Sequence, residues 1–201
     1  MREEKKMSHK YKILGVIGPS GSGKDTAARY LSYNYPLLFA SPKMYTTRPK
    51  RDNNDNNYYF LSDEEFAMKV LDTSDDYMLT AESFNEWFYG LAKSSLDKDK
   101  INVVPMTLTM IEQLSESWDF IDLKLLFIET DDKERLLHIL TRESNPDCYE
   151  VCRRFIADKH DFEEIPDELK YSHIKNDYTE KFYEKLRNLK KALEILYAGQ
   201  N

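Results

Sequence analysis

Gly18-Pro19-Ser20-Gly21-Ser22-Gly23-Lys24-Asp25-Thr26 follows the short apolar run Ile13-Leu14-Gly15-Val16-Ile17 and opens a segment with helical character from Lys24 to about Ser32. Strand, glycine loop, helix is the context that a phosphate-binding loop requires. Glycines let the backbone turn so that successive N–H groups point at one anion. The helix N-terminus adds its partial positive charge at the same place. Lys24 supplies a mobile cation for the outer phosphates. A plain Gly/Ser turn is the competing reading. Three glycines, a correctly spaced lysine and the two flanking elements argue together against it.

The pattern calls for Ser or Thr after the lysine, to place a neutral hydroxyl on Mg²⁺. Here the residue is Asp25, followed by Thr26. A carboxylate is also a hard oxygen ligand, so Asp25 is a candidate metal ligand. It reads equally as an acidic group in the first turn of a helix, favoured there by the helix dipole.

The chain has 201 residues, enough for one domain with a sizeable core. Apolar residues make up 41% and charged residues 32%, the balance of a soluble globular protein. No run approaches the ~18 consecutive apolar residues needed to span a bilayer. Met1-Arg2-Glu3-Glu4-Lys5-Lys6 is charged with no apolar run behind it, so no secretory signal and no membrane role are expected. Residues 1–10 read as a loose tail. A net charge of −7 argues against broad nucleic-acid binding but not against nucleotides, which need only a local group of cations. Cys148 and Cys152 share one helix face and, lacking further ligands nearby, read as buried thiols. These features suit a reducing cytoplasm.

Outward from the loop, Leu37-Leu38-Phe39-Ala40 is a second apolar run. Ser62-Asp63-Glu64-Glu65 is a capping box that starts a helix to about Leu71. Strand-like pieces surround Tyr77–Thr80 and Trp87–Tyr89, and a short polar helix is expected at Ser94–Lys98. Ile101-Asn102-Val103-Val104 reads as a central strand stopped by Pro105, and Leu108 to Trp118 as a helix. Leu123–Ile128 is a further buried strand. In the helix from Asp132 to Thr141 the apolar residues Leu136, Leu137, Ile139 and Leu140 recur at helical spacing. Asn145-Pro146 breaks it, and a helix restarts from Cys148 to Phe162. Tyr171–Lys175 is a short strand. The last helix, Glu180 to about Ala198, carries Phe182, Leu186, Leu189, Leu193 and Leu196 on one stripe that reads as core packing. This alternation predicts an α/β fold with a mainly parallel sheet. Ligands of such sheets bind beyond the carboxyl ends of the strands, where the glycine loop stands.

The order of these pieces resembles the guanylate kinase family of P-loop nucleoside monophosphate kinases, over about residues 11–197. Four features carry the resemblance: the loop Gly18 to Lys24; Thr46-Thr47-Arg48-Pro49-Lys50-Arg51 followed by Tyr58-x-Phe60 and the helix at Ser62; Phe88-Tyr89-Gly90; and Arg142, Arg153-Arg154 and Ile174-Lys175-Asn176-Asp177. The resemblance implies a P-loop NTPase fold, a parallel central sheet flanked by helices with an inserted lobe for the acceptor nucleotide and a lid. It divides residues 11–201 into a core (11–44, 93–138 and 156–201), an acceptor lobe (45–92) and a lid (139–155). It further implies that Gly18, Pro19, Ser20, Gly21, Ser22, Gly23, Lys24, Asp25 and Thr26 hold ATP with Mg²⁺, and that Asn176 lies near the adenine. Arg48, Arg51, Tyr58 and Tyr89 would hold the acceptor's phosphate. The chemistry agrees, since guanidiniums offer forked donors and phenols add neutral ones. Lys24, Arg142 and Arg154 would act on the transferring group. A solvated helix face is the competing reading for Arg142, Arg153 and Arg154. Of the adjacent pair only one can face a site, and the motif register favours Arg154.

The resemblance weakens where the family reads its base. The carboxylate expected nine residues before the Tyr-Gly pair is Thr80, with Glu82 on the same side of the strand as a substitute. The serine after Tyr-Gly is Leu91, the serine before Thr-Thr-Arg is Met44, and the Asp-x-Asp after the central strand reads Pro105-Met106-Thr107. Thr80, Glu82 and Thr107 are the candidate base contacts. The expected activity is ATP-dependent phosphorylation of a nucleoside or deoxynucleoside monophosphate, GMP or dGMP first, by a monomer or homodimer. Another nucleotide, a sugar phosphate or a binding module without catalysis are the alternatives.

Overall fold

The computed structural model describes residues 10–50, 58–71, 78–82, 87–117, 120–142, 146–163 and 171–198. Arg51 lies outside them, as do the side chains of Thr80, Glu82 and Arg142.

Strand β1, Tyr11–Ile17, is the axis of the molecule. It pairs in parallel with β7, Ile101–Pro105, on one side and with β8, Ile121–Glu129, on the other. The two-residue strand β2, Phe39–Ala40, extends the sheet beyond β7, and β9, Ser172–Lys175, extends it beyond β8. The order is β2-β7-β1-β8-β9, all parallel. Parallel strands are buried on both faces and therefore read as continuous apolar runs. Alternate side chains of β1 enter opposite cores. Leu14 and Val16 join Ala27, Ala28 and Leu31 of helix α1, Lys24–Asn34, and Phe182, Leu186, Leu189 and Leu193 of helix α6, Glu180–Ala198. Ile13 and Ile17 face the other way, into Met110 and Leu114 of helix α3, Leu108–Ser117, and Val104, Leu125 and Phe127. The result is an α/β fold with a parallel central sheet flanked by helices.

Leu186 is fully buried in the first of these cores. Leu186→Ala is expected to cost about 2–5 kcal/mol, because lost transfer energy and a residual cavity add. Urea denaturation should show a lower midpoint at unchanged slope; an unchanged midpoint would mean that α6 does not contribute to global stability.

A second sheet, ordered β4-β3-β6-β5, interrupts the alternation. Its strands are β3, Met44–Thr46, β4, Tyr58–Phe60, β5, Met78–Glu82, and β6, Phe88–Ala92. Strands β3 and β4 run parallel, whereas β6 is antiparallel to both β3 and β5. Helix α2, Asp63–Leu71, begins at the capping box: Glu65 N–H donates to Ser62 Oγ (3.2 Å) and Ser62 N–H to Glu65 Oε2 (2.8 Å). Helices α4, Asp132–Arg142, and α5, Cys148–Glu163, follow β8 and lie against each other.

Several sequence expectations need correction. Cys148 and Cys152 share a face, but it is the exposed one. Val151 is the buried residue of that turn. Helical spacing tells which residues travel together; the partner surface decides which set turns inward. In α6 the buried stripe ends at Tyr197, and Leu196 is 39% exposed. In α4 the fully buried long side chain is Arg135, at 1% exposure, whereas Leu137 is 48% exposed. Leu37 is exposed, Leu38 meets the sheet through its carbonyl, and Phe39 and Ala40 form the strand. The short polar helix is a single 3₁₀ turn, Lys93–Ser95.

Candidate active site

The glycine loop leaves the carboxyl end of β1 in a conformation that side chains resist. Gly21 has φ +79°, and a Cβ there would lie 2.8 Å from Ile139 Cγ1 and 2.9 Å from the Arg135 carbonyl oxygen. Gly23 has φ +99°, and its Cβ would meet Asn176 Nδ2 at 2.5 Å. Only glycine fits both positions. The loop then passes directly into α1, so its N–H groups and the helix dipole act together.

Five side chains from distant parts of the chain brace this loop. Asn176, buried at the end of β9, donates to the Ser22 carbonyl (2.8 Å). Thr130 donates to the same carbonyl (3.2 Å). Arg135 Nη1 approaches the Ser20 carbonyl at 3.4 Å. The Tyr178 hydroxyl donates to the Gly21 carbonyl, and its ring stacks on His138 with centroids 4.9 Å apart. Tyr178 adopts φ +56°, and its own N–H donates to Asn176 Oδ1 (2.8 Å). Asp158 Oδ2 accepts the Ser20 N–H at 2.8 Å. Ser22 Oγ is buried with no hydrogen-bond partner among the described residues.

Lys24 Nζ donates to the carbonyls of Gly18 (2.6 Å) and Pro19 (3.0 Å). Burial pushes the ammonium below the usual lysine range, and the negative charges of Asp25 and Asp158 oppose that push. Asp25 is exposed in the first turn of α1 and Thr26 is half-buried beside it.

One cavity of about 490 Å³ runs from this loop to the second sheet. Ser20, Gly21, Lys24 and Asp25 line its loop side, and Arg48, Tyr58 and Tyr89 line the opposite side. Arg48 is 3% exposed; Nη1 donates to the Pro49 carbonyl (2.7 Å), and the guanidinium lies 5.5 Å from the ring centre of Tyr58 and 5.4 Å from that of Phe60. Tyr58 and Tyr89 meet edge to face at 5.8 Å. Strand register brings Tyr89 opposite Thr46, two residues before Arg48, so the three phosphate candidates converge through the β4-β3-β6 ladder. The Thr46 hydroxyl secures that corner: it donates to the Phe88 carbonyl (2.9 Å) and accepts from the Arg48 N–H (3.1 Å).

Arg154 reaches the cavity from α5, over the ring of Trp87 at 5.6 Å. Its Nε donates to Glu150 Oε1 (2.5 Å), and Glu150 also receives two bonds from Arg153, each 2.8 Å. These guanidiniums, Arg153 first, hold the Glu150 carboxyl below the usual carboxylate range. Met44, Met106, Met110, Trp87 and Thr107 also line the cavity, and so do the acidic residues Asp147 and Glu150. Thr107 Oγ1 accepts the Met110 N–H (3.3 Å), which makes it the cap of α3 as well. On β5, Thr80 pairs with Gly90 and Glu82 with Phe88.

Arg135, Asp158 and Tyr178 were absent from the sequence expectation. Arg135 falls among the apolar positions of α4, a charge inside an amphipathic stripe, and that is the one signal that could have marked it. Asp158 and Tyr178 lack any local signature.

The donor set can be tested against a triphosphate and its metal. The positive-φ glycines, the loop N–H groups and Lys24 fit a chain of phosphates. Among the described residues no group of three or more His, Cys, Asp or Glu side chains could hold a metal. A lone Asp25 fits Mg²⁺, which takes one or two carboxylates and completes its shell with phosphate oxygens and water. Among the described residues no helix is long and apolar enough to cross a membrane.

Comparison with known proteins follows the same lines. The guanylate kinase of Campylobacter jejuni (strain RM1221) is 28% identical over 197 residues, 94% of this chain and 92% of the relative. That of Clostridium perfringens (strain SM101 / Type A) is 34% identical over 87 residues, 43% of this chain, so the match spans 39% of the relative's length. The crystal structure of guanylate kinase from Anaplasma phagocytophilum superposes with a TM-score of 0.58 at 20% identity, covering 91% of this chain and 87% of that one. The family model for guanylate kinase matches residues 10–193. With the glycine loop, the parallel sheet and the whole length of the fold in agreement, the chain belongs to the guanylate kinase family.

Proposed function

We propose that the chain transfers a phosphoryl group from ATP to a nucleoside or deoxynucleoside monophosphate, GMP or dGMP first among acceptors. The observation that carries this reading is one cavity shared by the glycine loop and the second sheet. The glycine loop and Lys24 stand at one end, Arg48, Tyr58 and Tyr89 at the other, and Arg154 leans in between them. Such transfer depends on positioning and charge stabilisation rather than on covalent catalysis. The loop N–H groups and Lys24 would hold the donor's outer phosphates. Arg48 would present its fork to the acceptor phosphate, with the two phenols adding neutral donors. Arg154 and Arg142 would meet the transferring group, Arg154 exchanging Glu150 for phosphate oxygens. No general base is required, because an acceptor phosphate oxygen is already ionised at neutral pH. Asp25 would hold Mg²⁺, which supplies charge neutralisation on the phosphates.

The acceptor's base would rest against Met44, Met106, Met110 and Trp87, with Thr107 as a polar contact in the same cavity. Family membership supports guanine as that base. A coupled ADP-release assay against GMP, dGMP, AMP, dTMP, dUMP, dCMP and ribose phosphates tests the reading. ADP release is expected with GMP or dGMP. Turnover with a different acceptor alone would overturn the guanine assignment and keep the kinase. Absence of turnover with every acceptor, despite ATP binding, would overturn catalysis.

A further inference from the structure

Asp158 places a carboxylate on an N–H of the glycine loop. It projects from α5 onto the glycine loop and accepts the Ser20 N–H at 2.8 Å, a contact between residues 138 positions apart. Ser20 belongs to the run of loop N–H groups that such a loop aims at anions. The carboxylate is thus an internal anion on an anion-binding backbone. Its guanidinium neighbour, Arg135, is farther away at 3.4 Å. Arg135 has other partners: its Nε and Nη2 donate to Asp132 Oδ1 (3.3 and 3.2 Å), and it lies 4.0 Å from the ring centre of Phe155. Pairing with Arg135 therefore does not by itself account for the position of Asp158. Asp158 is partly buried, with 17% side-chain exposure, so its charge acts at reduced screening.

We propose that Asp158 is a specificity-determining residue of the donor site: its carboxylate competes with the donor's phosphate chain for the Ser20 N–H. The inference rests on the reading of the glycine loop as the donor site. A polyphosphate that takes the Ser20 N–H has to displace the carboxylate, and afterwards still meets its charge nearby. A ligand whose phosphate does not extend to Ser20 escapes that penalty. Affinity for polyphosphates is lowered, affinity for short ones is not, and release of the spent donor is favoured because the carboxylate returns to the same N–H. The residue sits one helical turn beyond Arg154 on α5. Occupation of Ser20 by phosphate would therefore free a side chain one turn from Arg154.

Titration calorimetry with ATP·Mg²⁺, sodium tripolyphosphate and AMP on the full chain tests this. Asp158→Asn keeps the shape and a neutral acceptor for Ser20 but removes the charge. It is expected to tighten ATP and tripolyphosphate about tenfold, the difference between a charge-assisted and a neutral hydrogen bond, and to leave AMP unchanged. Asp158→Glu restores the charge and should return affinity toward wild type. Thermal melts of both variants report whether the fold is intact. Equal or weaker polyphosphate binding by a folded Asp158→Asn protein overturns the proposal, and makes Asp158 a support for Arg135 and the loop. Absence of ATP and tripolyphosphate binding in both proteins overturns the donor-site reading, and this inference with it.

Discussion

Lys24→Met lowers kcat/KM by about 10²–10³-fold and removes most of the thermal stabilisation that ATP·Mg²⁺ confers on the wild type. The expectation follows from position. Nζ donates to the Gly18 and Pro19 carbonyls of the glycine loop. Under the proposed reading the ammonium would meet charge developing on the outer phosphates, and removal of one such preorganised group costs two to three orders of magnitude in other enzymes. Methionine keeps the length and volume of the stem, so the loss isolates the charge. Lys24→Arg should rescue poorly, because a planar fork cannot occupy a pocket shaped by two carbonyls around a point charge. Steady-state kinetics and a melt with and without ATP·Mg²⁺ separate the two effects. Wild-type turnover by Lys24→Met would remove the glycine loop from the chemistry.

Arg48→Lys lowers kcat/KM for the acceptor by about 100-fold while the ATP-dependent thermal shift persists. The Arg48 guanidinium lies over the edge-to-face pair Tyr58 and Phe60 and is bonded to the Pro49 carbonyl, so its fork is fixed before any phosphate arrives. Lysine preserves the charge but loses the bidentate geometry and the stacking, and truncating one partner of a buried charged pair costs about 2–5 kcal/mol. Burial of Arg48 means that the melting temperature has to be compared as well. Unchanged acceptor kinetics in a folded Arg48→Lys protein would place the acceptor phosphate elsewhere in the cavity.

These two residues show how much of the site was legible. Lys24 is readable because strand, loop and helix are contiguous, and local spacing forces the cation to the loop's mouth. Arg48 is readable only by its motif, since nothing within a few residues shows that β6 will bring Tyr89 across from Thr46. Of the brace around the loop only Asn176 was named beforehand, by its motif and for the adenine rather than for the Ser22 carbonyl that it holds. Asn176 is separated from Ser22 by 154 residues, and Tyr178 from Gly21 by 157. Among helices the same division holds. The boundaries of α6 and the capping box of α2 follow from local patterns. The outward turn of Cys148 and Cys152, and the burial of Arg135, depend on how α4 and α5 lie against each other and against the loop.

Strands β3 and β4 were not foreseen, but by itself the sequence determined most of the core elements, the parallel α/β class and the glycine loop. Each is set by interactions within about one helical turn or one strand, where spacing alone dictates geometry. Tertiary structure decided which cations share a cavity with that loop, which face of each helix is wet, and that a carboxylate from α5 rests on a loop N–H. Those outcomes are set by packing between segments far apart in the chain, where a buried charge is tolerated only once a partner has been brought to it.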